Sequence, residues 1–169
     1  QRQMCIRDRA FNGVTLRNCR NTGNISFSSP ALYMIGGFVG AVQEDDGLYT
    51  IADCHNTADF DNAGSNSGWN FMGGIAGKNA GTIDKCTVSS PALNLNGLTA
   101  RADSISLGGA AGVNMQGAKI SETTVTLNIT DNLNKYKNLG GVAGENAGGG
   151  TLLKCTYPVS YTHLRAHET

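Results

Sequence analysis

The segment Gly73-Gly74-Ile75-Ala76-Gly77-Lys78-Asn79-Ala80-Gly81-Thr82-Ile83-Asp84-Lys85-Cys86 is rewritten several times along the chain, and that recurrence constrains the fold more than any other feature. Its opening pentad returns as Gly36-Gly37-Phe38-Val39-Gly40, Gly108-Gly109-Ala110-Ala111-Gly112 and Gly140-Gly141-Val142-Ala143-Gly144, each after an apolar residue: Ile35, Met72, Leu107 and Leu139. The closing half returns as Thr15-Leu16-Arg17-Asn18-Cys19, Thr50-Ile51-Ala52-Asp53-Cys54 and Thr151-Leu152-Leu153-Lys154-Cys155. The glycine pairs begin at 36, 73, 108 and 140, which gives periods of 37, 35 and 32 residues. Units of this length stack into a solenoid or a propeller-like array.

Strand count separates those two. A propeller blade needs four antiparallel strands, whereas each copy shows about three apolar stretches, in the third copy Met72 to Ala76, Thr82 to Val88 and Pro91 to Leu95. Their counterparts include Gly23 to Phe27, Ala58 to Phe60 and Thr126 to Thr130. The expectation is an all-β fold: a parallel β-helix of about four to five turns, about three short strands per turn. At the usual strand spacing it would be a rod on the order of 20 to 25 Å long. With 23 Gly, 3 Pro and few aromatic residues, the composition suits short strands and tight turns. The repeat domain runs over 10–158, with units near 11–35, 36–72, 73–107, 108–139 and 140–158.

In Thr-[Ile/Leu]-x-x-Cys two apolar residues stand three apart, a spacing that a straight strand cannot place on one face. The chain must turn a corner there, with the intervening pair outward and the Cys inward. Cys19, Cys54, Cys86 and Cys155 then stack as a ladder of buried thiols, with Thr123 filling the vacant rung. A disulfide between neighbours would strain side chains that point in parallel. Asn21 and Asn56, two residues after their Cys, are placed to stack as a short ladder. The glycine pentad is apolar on both faces, so it is either covered on both sides or lies where backbones approach closely.

Residues 1–9 and 159–169 fit no section of the repeat. Both resemble translated sequencing-adapter read-through and are expected to be non-native or disordered, packing nowhere on the core. Without them the charged residues number 9 basic against 11 acidic, a net of −2; the whole chain is formally neutral, with 13 of each. No basic field exists to recruit nucleic acid. No apolar run approaches the roughly 20 residues of a membrane span, and the N-terminus lacks the zones of a signal peptide.

Constellations that suggest chemistry reduce to structure. His55 adjoins Cys54, but successive strand residues face opposite ways, so it is expected on the surface. His163 and His167 fall in the excluded end. Asp59-Phe60-Asp61-Asn62-Ala63-Gly64 has a passing likeness to a calcium loop yet lacks its fifth-position oxygen ligand and terminal Glu, so a solvated turn is expected. Gly73 to Asn79 does not carry the phosphate-loop pattern. No catalytic, cofactor-binding or metal-binding residue is assigned. Specific recognition is expected in the irregular loops after the third strand, above all Asp61 to Asn70, with Asp61, Asn62, Asn66 and Trp69 as candidate binding residues.

The repeated apolar-Gly-Gly-apolar-[Val/Ala]-Gly, followed by Asn-x-Gly-Thr-Ile-x-x-Cys, resembles the GLUG-motif repeat of bacterial adhesin-like surface proteins. Four copies of each half match, over about residues 11 to 157. Two copies depart from it: the second lengthens its turn to Gln43-Glu44-Asp45-Asp46-Gly47-Leu48-Tyr49, and the fourth has Ala118 and Thr123 for Thr and Cys. The resemblance implies a right-handed parallel β-helix, extracellular or on the cell surface, as binding module or stalk. The functional expectation is therefore a non-catalytic piece of such a protein, adjoining further repeats and meeting host glycan or matrix protein through its loops. A polysaccharide-degrading β-helix enzyme, which would need converging carboxylates, is the alternative; a pure spacer is the third.

Overall fold

A computed structural model describes residues 6–9, 13–27, 33–41, 49–62, 70–94, 105–130 and 136–158. Every regular element among them is a β-strand. The first rung contains β1 (Ile6–Arg9), β2 (Thr15–Arg17), β3 (Arg20–Asn21) and β4 (Ile25–Phe27). The second has β5 (Tyr33–Gly36), β6 (Val39–Ala41), β7 (Thr50–Ala52), β8 (His55–Asn56) and β9 (Phe60–Asn62). The third has β10 (Asn70–Gly73), β11 (Ala76–Asn79), β12 (Thr82–Asp84) and β13 (Thr87–Asn94). The fourth has β14 (Ile105–Gly108), β15 (Ala111–Asn114), β16 (Lys119–Ser121) and β17 (Thr124–Thr130), and the fifth β18 (Tyr136–Gly140), β19 (Ala143–Asn146) and β20 (Thr151–Leu153).

Each strand pairs in parallel with its counterpart one repeat away, which makes the fold a parallel β-helix. The sheets follow the orders β1-β6-β11-β15-β19, β5-β10-β14-β18 and β2-β7-β12-β16-β20, with a fourth built from β3, β4, β8, β9, β13 and β17. Two of these are five strands deep, within the expected four to five turns. Register is fixed by the repeat: Ile51, Ile83 and Ile120 stack directly, as do Met72 and Leu107. All five are buried, and Ile75, Val88, Ala110 and Val125 fill the space beside them.

The third and fourth turns use four short strands each and the second five, instead of about three, because the breaks fall at different places from those expected. The glycine pentad bends at its second and third residues, so Met72 to Ala76 is split between β10 and β11. The corner before each Cys likewise ends β12 at Asp84, and β13 then continues through the stretch expected to form a separate strand. Pro91 has no N–H to offer that ladder, and the pairing of β13 with β17 shifts register between Ser90 and Leu93.

Both readings of the pentad hold in the third copy, where Gly73, Gly74 and Gly77 are all buried and lie against backbone. A Cβ on Gly77 would sit 2.5 Å from Gly40 O and 2.6 Å from Ile35 N, so the last glycine lets the β11 sheet lie directly on the β5 sheet. One expectation about the ends is corrected. Ile6–Arg9 pairs alongside β6, with Ile6 opposite Val39 and Arg9 opposite Ala41, extending the first sheet into the segment expected to stay off the core. Residues 1–5 and 159–169 lie outside the described residues.

Candidate functional site

The corner that precedes Cys19, Cys54, Cys86 and Cys155, and Thr123 in the fourth copy, is one backbone device used five times. Asn18, Asp53, Lys85, Glu122 and Lys154 all adopt left-handed φ values, between 47° and 54°, and all five are exposed. The turn they make aims the next side chain inward. The residue before them belongs to the strand and is not uniformly outward as expected: Ala52 and Ser121 are buried, and Ser121 Oγ donates to Asp84 Oδ1 on the rung before.

Inside the corners runs the thiol column. Cys54, Cys86 and Thr123 are buried, while Cys19 and Cys155 near the two ends are partly exposed, and none of these cysteines is in a disulfide. Each side chain donates to the carbonyl two residues back: Cys19 to Arg17 O at 3.4 Å, Cys54 to Ala52 O at 3.2 Å, Cys86 to Asp84 O at 3.3 Å and Cys155 to Leu153 O at 3.5 Å. Thr123 Oγ1 makes the same bond to Ser121 O at 2.9 Å, so it replaces a thiol in both shape and donor role. The Cys86 thiol pulls Cys54 below the ordinary thiol range, and contact with Cys54 pushes Cys86 above it; burial resists charge at both. At Cys19 burial raises the value.

A second column has a weaker signature in the sequence. Asn79 Nδ2 donates to Asn114 Oδ1 at 2.7 Å, Asn114 Nδ2 to Asn146 Oδ1 at 2.8 Å, and Asn146 Nδ2 to Gly150 O at 2.9 Å. The signal is an Asn two residues after the last glycine of the pentad in three of four copies. In the remaining copy Val42 stands there, and Tyr49 reaches across instead, its hydroxyl donating to Asn79 Oδ1. Burial pushes the Tyr49 phenol well above its usual value. The expected ladder of Asn21 and Asn56 takes a different form. Stacked in register, they donate to the second glycine of the following pentad, Asn21 to Gly37 O at 2.9 Å and Asn56 to Gly74 O at 2.7 Å.

The candidate binding residues divide. Asp61 and Asn62 belong to β9, paired with β4 and, through Asp61, with β13, and are not in a loop. The alternation that buries Phe60 leaves Asp61 exposed, and the calcium-like stretch is thereby strand rather than turn up to Asn62. Asn66 and Trp69 lie outside the described residues. His55 is partly exposed while Cys54 beside it is buried, so the two diverge as expected. Arg17 and Asp53 form an exposed ion pair at 3.4 Å across adjacent rungs, a geometry that contributes about 0 to 1 kcal/mol.

Among the described residues no group of three or more His, Cys, Asp or Glu is placed to hold a metal ion, and no helix is long and apolar enough to cross a membrane. Among the described residues, the asparagine side chains bond to one another along the column and to backbone carbonyls, while Thr123 and the cysteines bond to the carbonyl two residues back. Compared with family models, with curated proteins and with solved structures, the chain matches none.

Proposed function

We propose that the chain is a non-catalytic stretch of a bacterial adhesin-like surface protein of the GLUG-repeat type, an extracellular stalk that carries binding loops between its rungs. One observation carries the reading. In the fifth rung Leu139 and Leu152 are 53% and 42% exposed, whereas Leu107 and Ile120, one rung earlier at the same positions, are at 1% and 0%. An apolar end in this register is the surface that a further rung of the same kind covers, and solenoid rungs contact only their neighbours. Host glycan or matrix protein would then meet the segments between repeats, since connecting segments carry recognition more often than the scaffold that holds them.

The experiment offers the chain to immobilised glycans and matrix proteins, and beside it a variant in which residues 63–69 are replaced by a Gly-Ser linker. Binding by the first and not the second supports a binding module. Binding by neither, with a cooperative gain in stability when an additional copy of residues 108–139 is inserted, narrows the role to stalk. Release of reducing ends from a polysaccharide overturns the non-catalytic reading.

A further inference from the structure

We propose that the Cys19–Cys54–Cys86 column binds a soft, closed-shell metal ion in two-coordinate form, held in line between the sulfur atoms of neighbouring rungs. The backbone sets the spacing. His55 N donates to Cys19 O at 2.9 Å and Thr87 N to Cys54 O at 2.9 Å, so the three cysteines sit directly above one another on paired rungs. All three side chains also donate to the carbonyl two residues back, at 3.4, 3.2 and 3.3 Å, so they share one orientation. Identical orientation on stacked rungs keeps neighbouring sulfurs within about one rung separation of each other, about 4.8 Å at most.

That separation discriminates among thiol chemistries. A disulfide needs sulfurs about 2.05 Å apart and a dihedral near 90°, which parallel side chains on adjacent rungs do not supply. A tetrahedral zinc site needs four converging ligands, and among the described residues not even three converge. Two metal–thiolate bonds of about 2.3 Å laid end to end span about 4.6 Å, which fits between neighbouring rungs with little movement of either side chain. Thiolates select soft ions. Two S–H bonds break, two S–metal bonds form and two protons leave to solvent, with no change of oxidation state. A divalent ion gives a neutral product, the form that an apolar core accepts at least cost. Access is from the partly exposed Cys19, and Thr123 ends the column, leaving Cys155 with no thiol on the rung before it.

The test loads the reduced chain with mercuric chloride in the presence of excess 2-mercaptoethanol, a monothiol that strips ions held by one sulfur. One ion per chain should be retained, with X-ray absorption reporting two sulfur neighbours. Cys54→Thr removes the shared member while keeping a residue already native to position 123, and far-UV circular dichroism confirms that the variant folds. Retention should then weaken by roughly 100-fold or more, because the second thiol is no longer supplied intramolecularly. Cys155→Thr should change nothing. Thr123→Cys makes the column continuous from Cys19 to Cys155 and should raise the retained ions from one to two per chain. Unchanged retention in Cys54→Thr, one ion per thiol, or no second ion in Thr123→Cys overturns the proposal.

Discussion

The hydroxyl of Tyr49 donates to Asn79 Oδ1 at 2.6 Å, and through that bond the second rung joins an amide ladder for which its own sequence has no asparagine in place. Tyr49→Phe removes this donor, while Gly81 N still donates to the same oxygen at 3.2 Å. The loss should be about 1 kcal/mol, read from urea midpoints. Burial raises the phenol's pKa in the folded state, so above about pH 10 the unfolded chain releases a proton that the folded chain keeps. Stability from this group is therefore complete below that pH and declines as pH rises past it. Midpoints measured at pH 9 and 11 should show a smaller alkaline loss in Tyr49→Phe than in the parent chain.

Gly74 is confined by two neighbours. A Cβ there would lie 2.4 Å from Gly109 O on the next rung and 2.5 Å from Val88 Cγ1. Side-chain movement relieves only the second contact, so Gly74→Ala must push its rung away from the next. It should cost about 3 kcal/mol in a denaturant titration, at the upper end of overpacking effects. Gly148, with open space where a Cβ would be, gives the control: Gly148→Ala should be neutral or slightly stabilising through the unfolded chain.

How much of this is legible in the sequence depends on whether a residue's neighbours are set by the period. The isoleucine stack, the cysteine column and Thr123 as its substitute are position-by-position consequences of the repeat, and the fold class follows from the same regularity. The additional strand that comes from splitting the pentad is not legible, because the bend at Gly74-Ile75 is a matter of backbone approach between sheets, and adjacent apolar residues carry no mark of it. Tyr49 is hidden for another reason. It enters the amide ladder from the end of a lengthened turn, directly before Thr50, where the third copy has Gly81 before Thr82. Asp61 and Asn62 read as loop because they are polar, whereas their place in β9 is set by Phe60 and by pairing to β4.

Lys85 illustrates a conformation held against residue preference. It sits at φ 50° and is exposed, so its side chain contributes no packing that would offset the left-handed backbone. Lys85→Gly should stabilise the chain by about 0.5 to 1 kcal/mol, since glycine adopts this φ without a Cβ clash. Lys85→Val should destabilise by about 1 to 2 kcal/mol, because a β-branched side chain tolerates the region least. Thermal unfolding of the pair, with both variants keeping the parent strand content, isolates the corner from the core.

Leu152 and Ile120 occupy one register position on consecutive rungs, paired directly, yet only Ile120 is fully covered. Removing apolar surface at the two positions should therefore have unlike effects. Ile120→Thr places a hydroxyl in a packed interior and should cost about 2 to 4 kcal/mol. Leu152→Thr, alone or with Leu139→Thr, removes surface that already meets solvent, so its effect on stability should fall within about 0.5 to 1 kcal/mol. What it should alter is association. Sedimentation velocity of the parent chain should show concentration-dependent self-association through the uncovered rung, and the double substitution should shift the distribution toward monomer. A parent chain that sediments as a single monomeric species at every concentration would mean that the end is satisfied as it stands, and the apolar rung would lose its force as an argument for a neighbouring one.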